Sequence, residues 1–593
     1  MIRQKLYGIF VTAAALILVG ALGISTLKDA WMAAGASSSG ANGPTVYTSG
    51  DFTGVSGLEK EYQISSLEEA PGLAGEILGI YNAENEFSGK SVEHYGNDSF
   101  YRLSQSWEGY PVWGRGASLL ADGSGTVYAA SSNYVHLENV MTEQNVSEED
   151  CLALAEDYVR NTLGAEESSE IYTAPAPDDP LVVCLSDDDS TGWLCRQILV
   201  SFSDSSDAPV NYTLLLSVSD GSVQKAEPGV HGAQAFGEFD TLPETATVEA
   251  DDNTIIFSDT SRNIDVYNAN NKAVVTQAWE KDDATTYRFT GYRFYTKDGE
   301  PLLIAQSPKD IAANLPSTLG GLTVLHTAEG VFDYFAERCQ RFGPNGYGGK
   351  YSLIYNCKYR EGSGRPFAGL GSNAGYTSAG AQLPYYWTCL YSDFDLSSYE
   401  DLGHEYTHTI LSSFFKAGES SHSKALLEAY CDIFGILAGV YATGDEPDWE
   451  NSYRDLLPDS DSIGSDGKTG SFDMIQYYDY DKYIHDPDYA GYDYQGCTIA
   501  GYATALLWEN WRESMSREEA LQNMTELIWT SLFYLQDYPS YEDFAWAFYA
   551  SASRLDLTEE QHDAVREALQ QVNLPTGWSE GHSTKMELSE IDA

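Results

Sequence analysis

The pattern of apolar and polar residues predicts a mixed structure for the first third of the chain. Residues alternate between apolar and polar over 100–107, 126–134 and 212–218, which is typical of half-buried strands. Between these segments, residues 146–163 repeat their apolar positions at helical spacing. Residues 58–230 are therefore expected to form one α+β domain.

The pattern changes twice further along. Residues 231–398 continue with short alternating segments rich in aromatic residues and glycine, interrupted by a helical segment at 327–341. After 399 the apolar spacing becomes helical. The predicted helices cover 399–416, 423–442, 498–515, 517–536, 540–554 and 558–571. We expect a β-rich lobe (231–398) followed by a helical lobe (399–593), with a cleft between them.

The N-terminus has the composition of an export signal. Arg3 and Lys5 precede an uninterrupted apolar stretch from 9 to 24, so residues 1–35 are predicted to direct secretion. The stretch is close to the shortest length that spans a bilayer, which leaves an uncleaved membrane anchor as an alternative. Residues 36–57 begin with small, Gly- and Ser-rich sequence and are predicted to form a flexible linker.

The charge of the chain excludes one class of partner. The 593 residues include 33 Lys and Arg against 89 Asp and Glu, a formal net charge of -56. Such a charge repels phosphate backbones and anionic membrane surfaces. Nucleic acid is therefore not an expected partner, and an acidic, solvated surface suits an exported protein.

One short segment suggests metal chemistry. His404 and His408 are four residues apart in a predicted helix, so both imidazoles leave the same helical face and can hold one metal ion. Glu405 lies beside them, where a carboxylate can act on a metal-bound water. A catalytic zinc site needs a third protein ligand and one open position.

Two acids in the next predicted helix are candidates for completing the site. Glu428 and Asp432 lie one turn apart in an otherwise apolar helix, where unpaired carboxylates are costly to bury. A zinc ion and a ligand histidine would both be suitable partners. The metzincin pattern, which needs a third histidine, is absent because Phe414 stands at its position.

HEYTH, the following gap and EAYCDIFG together resemble the thermolysin family of zinc metallopeptidases. The resemblance implies zinc bound by His404, His408 and Glu428, with Glu405 as general base and Asp432 orienting His404. It also implies peptide hydrolysis by a zinc-activated water without a covalent intermediate.

The likeness extends to other segments. SNAGYTSAGAQ resembles the family's substrate-binding edge strand, which implies that Asn373 and Ala374 bind the substrate backbone. Residues 101–135 resemble the family's inhibitory propeptide, which implies a self-processing precursor whose residues 58–230 block the cleft until they are cut. Further similar segments are 257–271, 326–343 and 540–574.

Two features depart from the family. Its oxyanion-stabilising histidine is missing from a loop about ten residues shorter than usual; Tyr494 falls at its position, and His485 is the alternative donor. The family's double calcium site keeps Glu400 and Asp448 here, but Gly439 and Tyr453 replace two bridging acids. Zinc is therefore the expected cofactor, and calcium is left open with the double site degraded.

Two other functions fit the same motif. A catalytically inactive binding protein on this scaffold would keep the metal residues without hydrolysis. A structural metal site would close the coordination with a fourth Cys or His and leave Glu405 without a task. Mutation of Glu405 to Gln separates a peptidase, which would lose hydrolysis and self-processing, from both.

Overall fold

The computed structural model describes residues between 45 and 580, apart from short gaps and several longer stretches. The longer stretches outside the description are 229–245, 309–320, 358–369, 376–384, 391–397, 451–455, 459–467 and 486–494. The fold mixes 41% helix with 30% strand, as expected for the α+β class. The predicted signal over 1–35 lies outside the described residues.

The strands are named in chain order. They are β1 Thr45–Ser49, β2 Phe52–Ser56, β3 Tyr62–Gln63, β4 Phe87–Tyr95, β5 Asp98–Trp107, β6 Tyr110–Ala121, β7 Thr126–Ser132, β8 Val140–Met141, β9 Tyr172–Pro175, β10 Leu181–Leu185, β11 Gly192–Ser203, β12 Pro209–Ser217, β13 Val223–Pro228, β14 Val248–Glu249, β15 Thr254–Ile256, β16 Ser258–Asp259, β17 Ile264–Lys272, β18 Val274–Lys281, β19 Tyr287–Thr296, β20 Gln306–Pro308, β21 Tyr351–Cys357, β22 Leu370–Gly375, β23 Tyr385–Leu390, β24 Lys468–Ser471, β25 Met474–Tyr477 and β26 Ser579–Glu580.

The helices are named in the same way. They are α1 Ala70–Leu78, α2 Ala83–Glu86, α3 Glu148–Asn161, α4 Gly321–Arg338, α5 Tyr399–Leu411, α6 His422–Thr443, α7 Tyr480–His485, α8 Cys497–Arg512, α9 Arg517–Tyr534, α10 Tyr541–Ala552 and α11 Glu559–Gln571. Side-chain caps explain why several helices begin where they do. Ser540 and Thr558 each form a reciprocal capping box, and Ser516 accepts a hydrogen bond from the third amide of α9.

Strands β1–β13 and α1–α3 make up the upstream region, residues 45–228. Its strands belong to one 14-stranded sheet whose main path runs β13-β12-β11-β10-β6-β7-β2-β1-β26. The last strand of the described chain thus pairs with the first, through the partners Thr45 and Glu580.

The expectation of a flexible linker over 36–57 is not met for the hairpin of β1 and β2. Apolar side chains on these strands pack inward, and Phe52 is only 3% exposed. Trp546 of α10 lies against both Tyr47 and Phe52. The burial of these aromatic side chains outweighs the flexible composition of the segment.

A second sheet lies nearer the candidate site. It has five strands in the order β16-β17-β21-β23-β22, with β22 antiparallel to β23 at its edge. Strands β17, β21 and β23 run parallel, and α4 packs against β17 and β21. Helix α5 packs against β22, so the edge strand and the histidine helix are neighbours.

Two glycines allow α5 and α6 to pack closely. A Cβ atom on Gly435 would lie 2.3 Å from the carbonyl oxygen of Glu400, and a Cβ atom on Gly403 would lie 2.9 Å from Cα of Gly435. Any side chain at Gly435 would push the helices apart. The contact brings the histidine face of α5 onto the acidic face of α6.

The helices after 399 share one large core with α4 and the upstream sheet. Among the described residues, α6 alone is long and apolar enough to cross a membrane, but 83% of its most apolar window is buried inside the protein. A core helix of a soluble protein passes the same test.

Candidate metal centre

Helix α5 presents its two histidines side by side. The Nε2 atoms of His404 and His408 are 3.1 Å apart, and their rings meet edge to face with centroids 4.8 Å apart. The two residues are 5% and 1% exposed. Two imidazole nitrogens that converge in this way in a buried site can ligate one metal ion.

Helix α6 places a carboxylate against both rings. Glu428 is 1% exposed; its Oε2 lies 3.4 Å from Nε2 of His404 and its Oε1 lies 3.7 Å from Nε2 of His408. Ligands of a tetrahedral zinc ion with bonds of about 2.0 to 2.1 Å lie about 3.3 Å from one another. The approaches among the three donor groups, 3.1 to 3.7 Å, lie around this value, with the carboxylate of Glu428 offering a different oxygen to each ring.

Asp432 approaches the outer nitrogen of the first histidine. Its Oδ1 lies 2.8 Å from Nδ1 of His404, which fixes the ring so that Nε2 faces the other donors. Burial lowers the pKa of His404, but Asp432 and Glu428 outweigh it and raise the pKa to about 10. In the metal-free protein His404 is therefore protonated, and a metal must displace that proton.

The structure adds Cys431, which sequence reasoning did not consider for the site. His404, His408 and Cys431 have donor atoms within 4.8 Å of one another, and this buried group could bind a metal. Cys431 and Glu428 are alternative third donors; the carboxylate oxygens of Glu428 approach the two imidazoles to 3.4 and 3.7 Å. The signal was present in the sequence, because Cys431 is three residues after Glu428 and shares its helical face.

Glu405 follows His404 on α5 and is fully buried. One turn earlier, Asp401 is 6% exposed; its amide donates to the hydroxyl oxygen of Ser398 at 3.1 Å, and that hydroxyl donates to the Asp401 carboxylate. Burial raises the pKa of Asp401 to about 7, against the effect of the hydrogen bond from Ser398. Several acids are thus concentrated around His404.

The predicted substrate residues lie on β22. Asn373 pairs with Trp387 and Ala374 pairs with Tyr386 of β23, so both are in the edge strand that packs beside α5. A free strand edge can accept an extended peptide through its main chain. The side chains of these two residues are not among those described.

The two candidates for the oxyanion donor are placed differently. Tyr494 lies outside the described residues. His485 ends α7, where its side chain is 70% exposed and its Nδ1 lies 2.8 Å from the carbonyl oxygen of Asp481. This bond ties its ring to its own helix.

The calcium prediction falls partly on residues that the structure describes. Glu400 is the second residue of α5 and Asp448 follows α6, whereas Tyr453 lies outside the description. Gly439 lies on α6, close to Tyr399. The degraded calcium site therefore stays a prediction.

Comparison with known proteins gives weak structural likenesses. No protein-family model matches the chain, and no curated protein matches its sequence. The precursor of protealysin, a metalloproteinase from Serratia proteamaculans, is similar with a TM-score of 0.35 and 16% identity, over 56% of this chain and 92% of that one. The C-terminal domain of YpeB from Bacillus megaterium gives 0.18 and 12%, over 32% and 90%.

Proposed function

We propose that this protein is a secreted, zinc-dependent endopeptidase whose metal is held by His404, His408 and Glu428. The observation that carries the proposal is the spacing of their donor atoms, 3.1 to 3.7 Å, in a buried site at the contact of two helices. Three protein donors leave the fourth position of a tetrahedron for water, as hydrolysis requires.

Each residue has a defined task in this proposal. A zinc ion at this position supplies the charge that polarises the scissile carbonyl and acidifies a bound water. Glu405 would take a proton from the attacking water and deliver it to the amide nitrogen as the C–N bond breaks. Asp432 holds His404 in the ligating orientation.

The substrate would be an extended protein or peptide. Main-chain groups of Asn373 and Ala374 on β22 would pair with its backbone, beside α5. Tyr494 would donate a hydrogen bond to the tetrahedral oxygen, with His485 as the alternative. Residues 231–398 and 399–593 would form the two lobes on either side of the cleft. Calcium binding elsewhere is left open.

The proposal includes a precursor that is exported and cuts itself. The apolar stretch after Arg3 and Lys5 supports export. Cleavage would fall between 229 and 245, between the upstream region and the remainder of the chain. The net charge of -56 supports peptide rather than nucleic acid partners.

Mutation of one carboxylate tests the proposal. Glu405→Gln keeps the size of the side chain but removes the base, so casein hydrolysis should fall by at least about 100-fold while zinc content stays at one per chain. Glu560→Gln, in the exposed face of α11, is the matched control and should keep full activity. Equal activity of the two variants would contradict the proposal.

A catalytically inactive metal-binding protein is the second candidate, and Cys431 favours it. A thiolate added to the two histidines and Glu428 would fill all four positions and leave none for water. Such a protein would show zinc at one per chain and no hydrolysis of casein by either the parent chain or its Glu560→Gln variant.

A further inference from the structure

The upstream region packs onto the helices after 399 through aromatic side chains. Tyr47 stacks on Trp546 of α10 with ring centroids 6.2 Å apart, and Phe52 meets the same ring edge-on at 5.8 Å. Phe100 of β5 stacks on Phe533 of α9 at 3.7 Å. These side chains belong to the same buried core as α5 and α6, so the two regions share one hydrophobic core and do not meet at a surface contact.

A buried arginine ties the upstream region to the end of the metal-bearing helix. Arg102 is 6% exposed; its Nη1 donates to the carbonyl oxygen of Phe414 at 2.7 Å and its Nη2 donates to that of Leu532 at 3.2 Å. Phe414 lies three residues beyond the end of α5, and Leu532 lies in the last turn of α9. Without Arg102, both carbonyls would lose a charged donor in a site that excludes water.

A tyrosine of the helical part enters the upstream region. Tyr538 has a φ of 59°, which is unfavourable for a bulky side chain. Its hydroxyl accepts a hydrogen bond from Nε1 of Trp113 at 2.6 Å and donates to Glu227 at 3.1 Å. Lys225 lies 3.9 Å from the ring centroid. Its partners in the upstream region stabilise an otherwise strained backbone.

The absence of a side chain at one upstream position makes room for this ring. A Cβ atom on Gly114 would lie 2.3 Å from the ring of Tyr538. Trp113, the neighbour of Gly114, also carries Nζ of Lys416 3.4 Å above its ring, and Lys416 follows α5 closely in sequence. Strand β6 thus contacts both the segment after α5, through Lys416, and the segment after α9, through Tyr538.

We propose that residues 45–228 are a permanent structural partner of the helices after 399 and stay bound after any cut between 229 and 245. The contacts described above fall on α9, α10 and the segments that follow α5 and α9. A released inhibitor needs a separable surface, whereas this contact is continuous core with buried charged hydrogen bonds. The inference goes beyond the proposed peptidase function and does not require it.

The test uses the full chain with two changes. Glu405→Gln prevents the protein from cutting itself, and a recognition sequence for a site-specific protease is placed between 231 and 240. After complete cleavage, we expect both fragments to elute as one species in gel filtration at about 1 µM. They should stay together at about 1 M salt, because apolar core contacts are not screened. Zinc content should be unchanged.

Two variants test the contacts that Tyr538 and Arg102 make between the two regions. Tyr538→Phe removes only the hydroxyl group between Trp113 and Glu227, and we expect the cleaved fragments to dissociate at least about fivefold faster. Arg102→Leu should have a larger effect, and Tyr538→Phe serves if Arg102→Leu does not fold. Separation of the parent fragments at micromolar concentration, whether or not the downstream fragment stays folded, would overturn the inference. Failure of the peptidase proposal would appear only in hydrolysis, which this experiment does not measure.

Discussion

Asp432 offers a sharp test of the metal centre, because its carboxylate would act on the metal only through His404. Asp432→Asn keeps the size of the side chain and an acceptor oxygen near Nδ1 of His404, but removes the charge that lies 2.8 Å away. Loss of such a partner typically lowers metal affinity about 10- to 100-fold, or about 1.4 to 2.7 kcal/mol.

The same carboxylate also stabilises the proton that the metal must displace. Burial opposes this proton, yet the pKa of His404 is raised to about 10. At pH 7 the proton therefore opposes zinc binding by about 4 kcal/mol, from three pH units at about 1.4 kcal/mol each. Asp432→Asn lowers the pKa of His404 and weakens this competition. The affinity deficit of the variant should consequently be smallest at pH 7 and grow towards pH 10.

Competition with a chromophoric zinc chelator at pH 7, 8 and 9 measures the deficit, and calorimetry in buffers of different ionisation enthalpy counts the released protons. We expect about one proton per zinc from His404 in the parent protein and fewer in the variant. Asp563→Asn, in the exposed part of α11, is the control and should match the parent protein. A deficit that shrinks with rising pH would refute the assignment of Asp432.

Three further predictions follow from the same core. Burial raises the pKa of Glu329 to about 8 and that of Glu526 to about 7, above their ordinary values, so the folded state binds more protons than the unfolded chain. The free energy of unfolding of the metal-free protein should therefore fall from pH 5 to pH 8 in urea titrations, and a rise would contradict this. Gly435→Ala should destabilise the protein by about 1 to 3 kcal/mol and lower its zinc content. Gly439→Ala, on the same helix, is the control: its Cβ atom would make an ordinary contact at 3.8 Å, so this variant should be neutral or slightly stabilising. Equal effects of the two substitutions on stability would contradict the close packing of α5 and α6. Cys431→Ser should change zinc affinity less than about twofold if Cys431 is not a ligand, and a loss above about tenfold would assign it to the coordination.

The helices were predictable because their signals are local. Apolar spacing gave α5, α6 and α8–α11 to within a few residues at most ends, and the four-residue spacing of His404 and His408 predicted that they share a face. The meeting of the two helices could be inferred only indirectly, from two buried acids that need partners. The sequence shows Gly403 and Gly435, but only the fold shows that these glycines touch.

What could not be predicted depends on contacts between distant segments. The segment 45–56 has the small residues of a linker, but pairing with β7 and packing on Trp546, almost 500 residues later, make it a buried hairpin. No other cysteine lies at a zinc-binding spacing from Cys431, and its closeness to two histidines of another helix is visible only in the fold. No sequence pattern indicates the hydrogen bonds of Arg102, because its acceptors are main-chain oxygens.

The pairing of β1 with β26 has a consequence for how the chain folds. Strand β1 finds its partner at Ser579–Glu580, at the far end of the described chain. Contacts of such sequence separation form slowly, because a very long loop must close before they contribute. Until β26 has been synthesised, β1 has an open edge that can pair with another copy. Removing the last fifteen residues should therefore promote aggregation during folding, even though those residues lie far along the sequence from the metal centre.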